Sequence, residues 1–304
     1  MKVLFLGSST FSKIVLNKMY ENGVDIKAVI TQPDRPASRG HKLQPTEVKK
    51  YAIEKGIDVY TFDKVRNHIE EIEKIDYDLA VVASFGQILP QSFLDLKLTI
   101  NVHPSLLPKY RGATPIQSAI LNGDKETGVT IMKVAKEVDS GDIILQQKFE
   151  INEEYYLELE DKLASIGGEM VCKVIDGLEK NNITFTPQNH SKAILVSKLT
   201  KDDAILDFNC KKETIINKVR ALSECVGCFI NIGDIKIKIG KVKDASDLGF
   251  NVSPCEILNY KKAFIIGCED GAVEIVSCQA PSGRMIGGRD YINGHSDVLG
   301  KKVL

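Results

Sequence analysis

Asn101 and His103 stand two residues apart at the end of an apolar stretch. In an extended strand, residues i and i+2 point to the same face. An amide and an imidazole would then project together, just before Pro104 stops the pairing. The amide offers a donor. The imidazole can donate, accept or carry charge near neutral pH. Those are the parts needed to stabilise an oxyanion on a carbonyl under attack and to handle protons beside it. An Asn-x-His pair also has a plainer use, because both side chains can cap local backbone. The residues after His103 weigh against that use. Two prolines bracket Ser105, Leu106 and Leu107, and Lys109-Tyr-Arg-Gly112 leads into a helix-like segment over 114–122. Rigid prolines, leucines and two cations make poor solubilising surface and plausible ligand wall.

The elements that must position this pair alternate between strand and helix. Residues 98–103 form the strand that delivers it, and the apolar run 79–83 is the strand before. Residues 3–6 read as a buried strand because the run is apolar throughout. Residues 11–20 carry apolar side chains at 11, 14, 15, 16 and 19, close to a helical period. A strand at 24–30 and a helix at 47–54 follow. This alternation implies a parallel sheet with right-handed crossovers. Ligands in such sheets sit beyond the carboxyl ends of the strands. The Ser8-Ser9 turn, the Phe85-Gly86-Gln87 turn and the 101–111 loop all fall at such ends. The first turn lacks G-x-G-x-x-G, so no dinucleotide site is expected. Residues 129–134 and 143–149 read as a strand pair. Residues 156–178 read as a long helix interrupted at Gly167-Gly168.

At 304 residues the chain is long enough for two domains. No apolar run approaches the roughly 20 residues of a membrane span. The seven cysteines are irregularly spaced and no signal-peptide pattern opens the chain, so a reduced, cytoplasmic protein is expected. From residue 227 the pattern changes to short strands at 229–232, 235–239, 256–259, 263–267 and 272–277, which argues a small barrel. Net charge is −1, but the residues after 190 hold 17 Lys+Arg and 14 Asp+Glu, an excess of three cations. Lys236, Lys238, Lys241 and Lys243 cluster there, and 236 and 238 share a strand face. A solvated lysine face is the commoner meaning; a polyanion surface is the other. Cys225-Val-Gly-Cys228 has the spacing of half a zinc site. Four ligands are needed, and neither a second Cys-x-x-Cys nor a nearby His is present, so no metal is expected.

Between Thr31 and Thr46 runs a long excursion with three prolines and one glycine, a composition that argues against regular structure. Excursions of this length inside a compact domain are usually functional or disordered. It carries Arg35, Arg39, His41 and Lys42 against a single acid, Asp34.

The run Asn101-Val-His-Pro-Ser-Leu-Leu-Pro-Lys-Tyr-Arg-Gly112 resembles the signature of the folate-dependent formyltransferases, which use 10-formyltetrahydrofolate. The likeness extends through Thr127-Gly-Val-Thr-Ile-Met132 and Val138-Asp-Ser-Gly-Asp142. It implies an α/β fold, with a Rossmann-like parallel-sheet formyltransferase domain over 1–189, an interdomain segment over 190–206 and a small OB-like β-barrel over 207–304. It implies a catalytic set of Asn101, His103 and Asp139. By itself Asp139, before Ser-Gly, reads as a turn former; its chemical role rests on the family's spacing. The resemblance also implies a folate site at Ser105, Leu106, Leu107 and Pro108 and at Phe85, Gly86, Gln87, Ile88 and Leu89. The 32–45 excursion resembles the insertion that marks methionyl-tRNA formyltransferases and that sugar and glycinamide relatives lack in this form. In that family it contacts the acceptor end of the tRNA, and Arg39 falls at the position of its important arginine. The implied reaction is formyl transfer to the free α-amine of initiator methionyl-tRNA. Phe11, Arg35, Arg39, Lys42 and Arg111 would face that substrate, and the barrel would bind tRNA. A monomer without metal is expected. The alternative is a formyltransferase for a sugar nucleotide or other small amine, keeping the Asn-His-Asp set. Cys225-x-x-Cys228 departs from the family, which tends to carry an aromatic residue and prolines there.

Arg39 yields the first prediction. A guanidinium can pair bidentately with phosphate, and an ammonium cannot. Arg39→Leu should lower kcat/KM for methionyl-tRNA strongly while leaving folate affinity unchanged, and Arg39→Lys should restore only part. Formylation of charged tRNA by Arg39→Leu at the wild-type rate would remove the excursion from substrate recognition.

Overall fold

A computed structural model of the chain describes residues 1–37, 42–245, 247 and 252–303. Strand β1 (Lys2–Gly7) is apolar at every inner position because Val3, Leu4, Phe5 and Leu6 are all fully buried. Ser9 caps helix α1 (Thr10–Glu21), accepting from the Ser12 backbone N–H while the Ser12 side chain returns to the cap. There follow β2 (Asp25–Thr31), β3 (Arg35–Ala37), β4 (Lys42–Gln44), α2 (Glu47–Glu54), β5 (Asp58–Thr61), α3 (Ile69–Ile72), β6 (Leu79–Ala83), α4 (Gln91–Leu94), β7 (Leu98–His103) and β8 (Arg111–Gly112). Then come α5 (Pro115–Leu121), β9 (Glu126–Lys133), β10 (Ile143–Glu150), α6 (Tyr156–Glu179) and β11 (Leu195–Val196).

Seven strands form one sheet in the order β10-β9-β7-β6-β1-β2-β5. β5, β2, β1, β6 and β7 run parallel; β9 and β10 add an antiparallel edge. The chain builds outward from β1 to β2 and β5, then returns to β6 on the other side of β1. That reversal is the switch point where open α/β sheets take ligands. β7, carrying Asn101 and His103, is the next strand over.

Two expectations need correction. The 31–46 excursion is not without regular structure. It holds an antiparallel hairpin in which Arg35 pairs with Gln44, Pro36 with Leu43 and Ala37 with Lys42. A two-stranded ribbon has edges on both sides, so Pro36 fits with its missing N–H turned outward. The Thr31 and Thr46 hydroxyls, 2.7 Å apart, tie the ends of the excursion together, and Thr46 also caps α2. Arg39 and His41 lie outside the described residues, as does the side chain of Lys42. The second correction is α6, which runs unbroken through Gly167 and Gly168. A Cβ on Gly167 would come within 2.6 Å of Val102 Cγ1, and one on Gly168 within 2.5 Å of Lys18 Cβ. The glycines let the helix lie against β7 and α1. Close approach outweighs their propensity cost of about 1 kcal/mol each.

The chain divides into two compact units, one of residues 1–115, 126–150 and 159–196, the other of 116–125, 151–158 and 197–304. The second contains α7 (Lys212–Leu222), β12 (Cys228–Ile232), β13 (Ile235–Asp244), β14 (Ile257–Tyr260), β15 (Ala263–Cys268), β16 (Gly271–Gln279), β17 (Ile286–Gly287) and α8 (Gly288–Gly294). Its strands make an antiparallel sheet ordered β12-β13-β16-β15-β14, with β17 on β16, the small β domain expected from the short strands. β13 pairs with β16 through register shifts between Ile239 and Val242. Ile237, Ile239 and Val242 are buried. Strict alternation would turn Lys241 and Lys243 inward with Ile237 and Ile239; the bulge keeps all four lysines on the opposite face.

Burial pushes the thiols of Cys228, Cys268 and Cys278 in this unit up to about 12. Their folded values stand above the ordinary thiol value, so the fold favours the neutral form. Stability is whole below about pH 9. Above that, the unfolded chain gives up protons that the folded chain keeps, costing roughly 1.4 kcal/mol per pH unit for each thiol until about pH 12. The melting temperature should therefore fall steeply between about pH 9 and 11, and Cys278→Val should soften the slope. A melting temperature indifferent to pH over that range would refute the assignment.

Candidate functional site

β7 ends in the site. His103 is buried, and its Nε2 lies 2.9 Å from the Tyr110 carbonyl oxygen. A carbonyl only accepts, so Nε2 carries a proton. That fixes the other nitrogen, Nδ1, towards Asp139, with Oδ2 3.6 Å away. The gap is too long for a hydrogen bond and short enough for ionic attraction. Asn101 shares the strand face and is half-buried. Its amide makes no hydrogen bond among the described residues.

Asp139 comes from the turn between β9 and β10. Its φ is +48°, a left-handed conformation that Asp tolerates better than most residues. Two residues on, a Cβ at Gly141 would run into the Lys133 carbonyl. Asp139 Oδ2 accepts from the Gly112 N–H at 2.8 Å. Gly112 belongs to β8, which pairs in parallel with β11: Arg111 opposite Leu195 and Gly112 opposite Val196. Gly112 has φ +119°, and a Cβ there would collide with the Val196 carbonyl.

Arg111 does not present its charge outward. It is 5% exposed. Its Nε and Nη2 donate to Gln188 Oε1 at 3.1 and 2.7 Å, and Nη2 lies 3.2 Å from His190 Nδ1. Gln188, also buried, turns its Nε2 to the Asp139 and Gly141 carbonyls at 2.9 and 2.7 Å. Sequence reasoning did not single out Gln188. It lies 49 residues from Asp139, and no local spacing marks it.

The loop after His103 is braced from within. Ser105 Oγ donates to the Lys109 carbonyl at 2.6 Å, and Thr130 Oγ1 donates to the Ser105 carbonyl at 2.6 Å. Gln146 Nε2 donates to the Leu107 carbonyl at 2.8 Å. The Leu107–Pro108 peptide is cis. Ser105 and Leu107 are buried and form floor; Leu106 and Pro108 are half-buried and face outward in part. In the turn after β6, Phe85 is buried and its carbonyl accepts from Gln32 Nε2 at 2.7 Å. The Gln87 amide is occupied by the Val65 N–H and the Phe62 carbonyl, at 3.0 and 2.7 Å. Leu89 packs against the core beside Phe85. Ile88 is 87% exposed. An isoleucine so bare, beside exposed Gly86, is surface that a flat apolar ligand would cover. Phe11 is buried in α1, and Arg35 is exposed on the hairpin. Among the described residues, no group of three or more His, Cys, Asp or Glu is placed to hold a metal ion.

Comparison with known proteins matches the chain in two stretches. Residues 1–175 match the formyl transferase family model, and residues 198–296 match that of the formyl transferase C-terminal domain. A methionyl-tRNA formyltransferase of Sulfurihydrogenibium sp. is 37% identical, covering 99% of both chains. That of Caldanaerobacter subterraneus is 35% identical, covering 97% of both. Among solved structures, HypX from Aquifex aeolicus in complex with tetrahydrofolic acid superposes with a TM-score of 0.69 at 17% identity, over 98% of this chain and 48% of that one. The chain thus spans about half the length of HypX. An N-formyltransferase from Helicobacter canadensis, in complex with folinic acid and dTDP-3-aminofucose, gives 0.69 at 22% identity, over 90% and 98%. At those identities the structural likenesses speak for the fold.

The β8–β11 pairing makes the site sensitive to one methyl group. Gly112→Ala should cost about 1–3 kcal/mol of stability, because the methyl must displace backbone at a positive φ. An unchanged urea midpoint would show that this close approach does not hold the loop.

Proposed function

Because the chain belongs to the methionyl-tRNA formyltransferase family, we propose roles for its own residues in the reaction that family performs. The protein transfers the formyl group of 10-formyltetrahydrofolate to the free α-amino group of methionyl-tRNA, giving N-formylmethionyl-tRNA for translation initiation. The observation that carries this is full-length identity of 37% over 99% of both chains; the sugar N-formyltransferases share the fold at 22%.

The folate co-substrate supplies the activated formyl carbon. The α-amine attacks that carbon, a new C–N bond forms, and the bond to the folate nitrogen breaks with its electron pair returning to that nitrogen. The Asn101 amide, unspent among the described residues, donates to the formyl oxygen as it gains negative charge. His103 sits on the same face to move the amine proton towards the leaving nitrogen. Asp139, 3.6 Å from Nδ1, steadies positive charge on the ring while it does so. Pre-aimed donors of this kind are worth about 10²–10³ in rate each.

In this reading the folate lies against Ile88, Leu106 and Pro108, with Ser105, Leu107, Phe85, Gly86, Gln87 and Leu89 shaping the floor and turns beneath. The 32–45 insertion, with Arg35, Arg39 and Lys42, takes the acceptor end of the tRNA. Phe11 and Arg111, both buried, act by holding the walls. Residues 1–189 carry the chemistry, 190–206 connect, and the lysine face of β13 within 207–304 adds affinity for the polyanion. The seven free cysteines and a tRNA substrate suit a cytoplasmic enzyme, and a monomer in solution is the expected state.

The test is formyl transfer from 10-formyltetrahydrofolate to charged initiator tRNA, beside an amino-sugar nucleotide as control. Asn101→Ala and His103→Ala should each lose about 10²–10³ in kcat with tRNA affinity kept, and Asp139→Asn should lose most activity. Transfer to the sugar nucleotide alone would replace the substrate. Wild-type kcat in either alanine variant would take that residue out of the chemistry.

A further inference from the structure

We infer that Gln188 is the positioning residue for Asp139, acting as a neutral clamp that holds both partners of the Gly112–Asp139 hydrogen bond. The inference rests on the assignment of Asp139 to the reaction. Gln188 is 5% exposed, and its amide is used from both ends. Oε1 accepts two bonds from Arg111, the residue immediately before the donor Gly112. Nε2 donates to the backbone carbonyl of Asp139, the acceptor's own residue, and to that of Gly141. One planar group therefore fixes the donor strand and the acceptor turn in a single frame. The acceptor side needs this support most, because Asp139 sits in a left-handed conformation at φ +48°.

An amide meets the chemistry of this position from both ends. The guanidinium is donor-only and the two carbonyls are acceptor-only, so the group between them must accept on one side and donate on the other. Reversing the amide would set NH₂ against the guanidinium and oxygen against two carbonyls. A carboxylate would satisfy Arg111 and repel the turn. An aliphatic side chain would abandon both, leaving a buried guanidinium short of acceptors. Glutamate and leucine thus separate the two halves of the clamp.

The experiment uses the full-length protein and its Gln188→Glu, Gln188→Leu, Asp139→Asn and Gln188→Glu/Asp139→Asn variants, assayed with 10-formyltetrahydrofolate and charged initiator tRNA. Gln188→Glu should melt close to wild type, because Arg111 keeps its acceptor. Its kcat should fall by about 10²-fold, the scale set by misplacing a reacting group by about 1 Å, with KM unchanged for both substrates. Gln188→Leu should lose stability and kcat together. The double variant should be barely slower than Asp139→Asn, because Gln188 acts through Asp139. Wild-type kcat in Gln188→Glu, a loss confined to KM, or a double variant in which the two losses multiply would each overturn the inference. The controls separate the levels: wild-type protein that fails to formylate the tRNA sinks the function and with it this role, and full kcat in Asp139→Asn sinks the site.

Discussion

One hydrogen bond joins two parts of the site that the sheet delivers separately. The Gly112 N–H reaches Asp139 Oδ2 at 2.8 Å. Gly112 follows β7 in the chain, and Asp139 tops the antiparallel edge strands. Without that bond the carboxylate would be a solvated turn residue with no reason to face His103. With it, one carboxylate oxygen is shared between a fixed backbone donor and the imidazole. The rest of the first unit can be understood as meeting this constraint. β11 lies alongside β8 to hold Gly112, and Gly141 lets the Asp139 turn approach Lys133 closely.

Polar groups enclosed in such a site are dangerous unless each has its partner. Around His103 the chain meets this with main-chain oxygens. Tyr110, Ser105, Leu107, Asp139 and Gly141 all contribute carbonyls as acceptors. Main-chain acceptors add no titratable charge. Asp139 is then the only carboxylate within ionic reach of the ring among the described residues. Arg111 is served in the same spirit by an amide and an imidazole, so no second acid is brought near.

What the sequence made legible was the local part. Residues 98–103 alternate apolar Leu98, Ile100 and Val102 with polar side chains, end at a proline, and form β7 at those bounds. The helix read over 47–54 is α2, at those bounds. The lysines of β13 were visible, but their common face was not, because a bulge leaves no mark in the order of residues. Gly167 and Gly168 were misread for a related reason. Glycine lowers helix propensity, and only the neighbours Val102 and Lys18 reveal that the missing Cβ is needed. The hairpin at Arg35–Gln44 escaped because three prolines argue against strand, yet a ribbon with two free edges tolerates one of them. Gln188 was hidden by distance along the chain. Asn101 and His103 were paired by their spacing on a strand, whereas Asp139 had no local signal beyond that of a turn and was singled out only through the family's motif.

The bulge in β13 also sets which side chains beyond it face inward. Deleting a single residue near Gly240 would restore perfect alternation and so make a more regular ladder. Val242 would stay inward and Lys241 and Lys243 outward, because the bulge holds the one residue that strict alternation has no place for. The costly change is to flatten the bulge at full length, which would drive the ammonium groups of Lys241 and Lys243 into the space that Val242 fills and turn Val242 out to water.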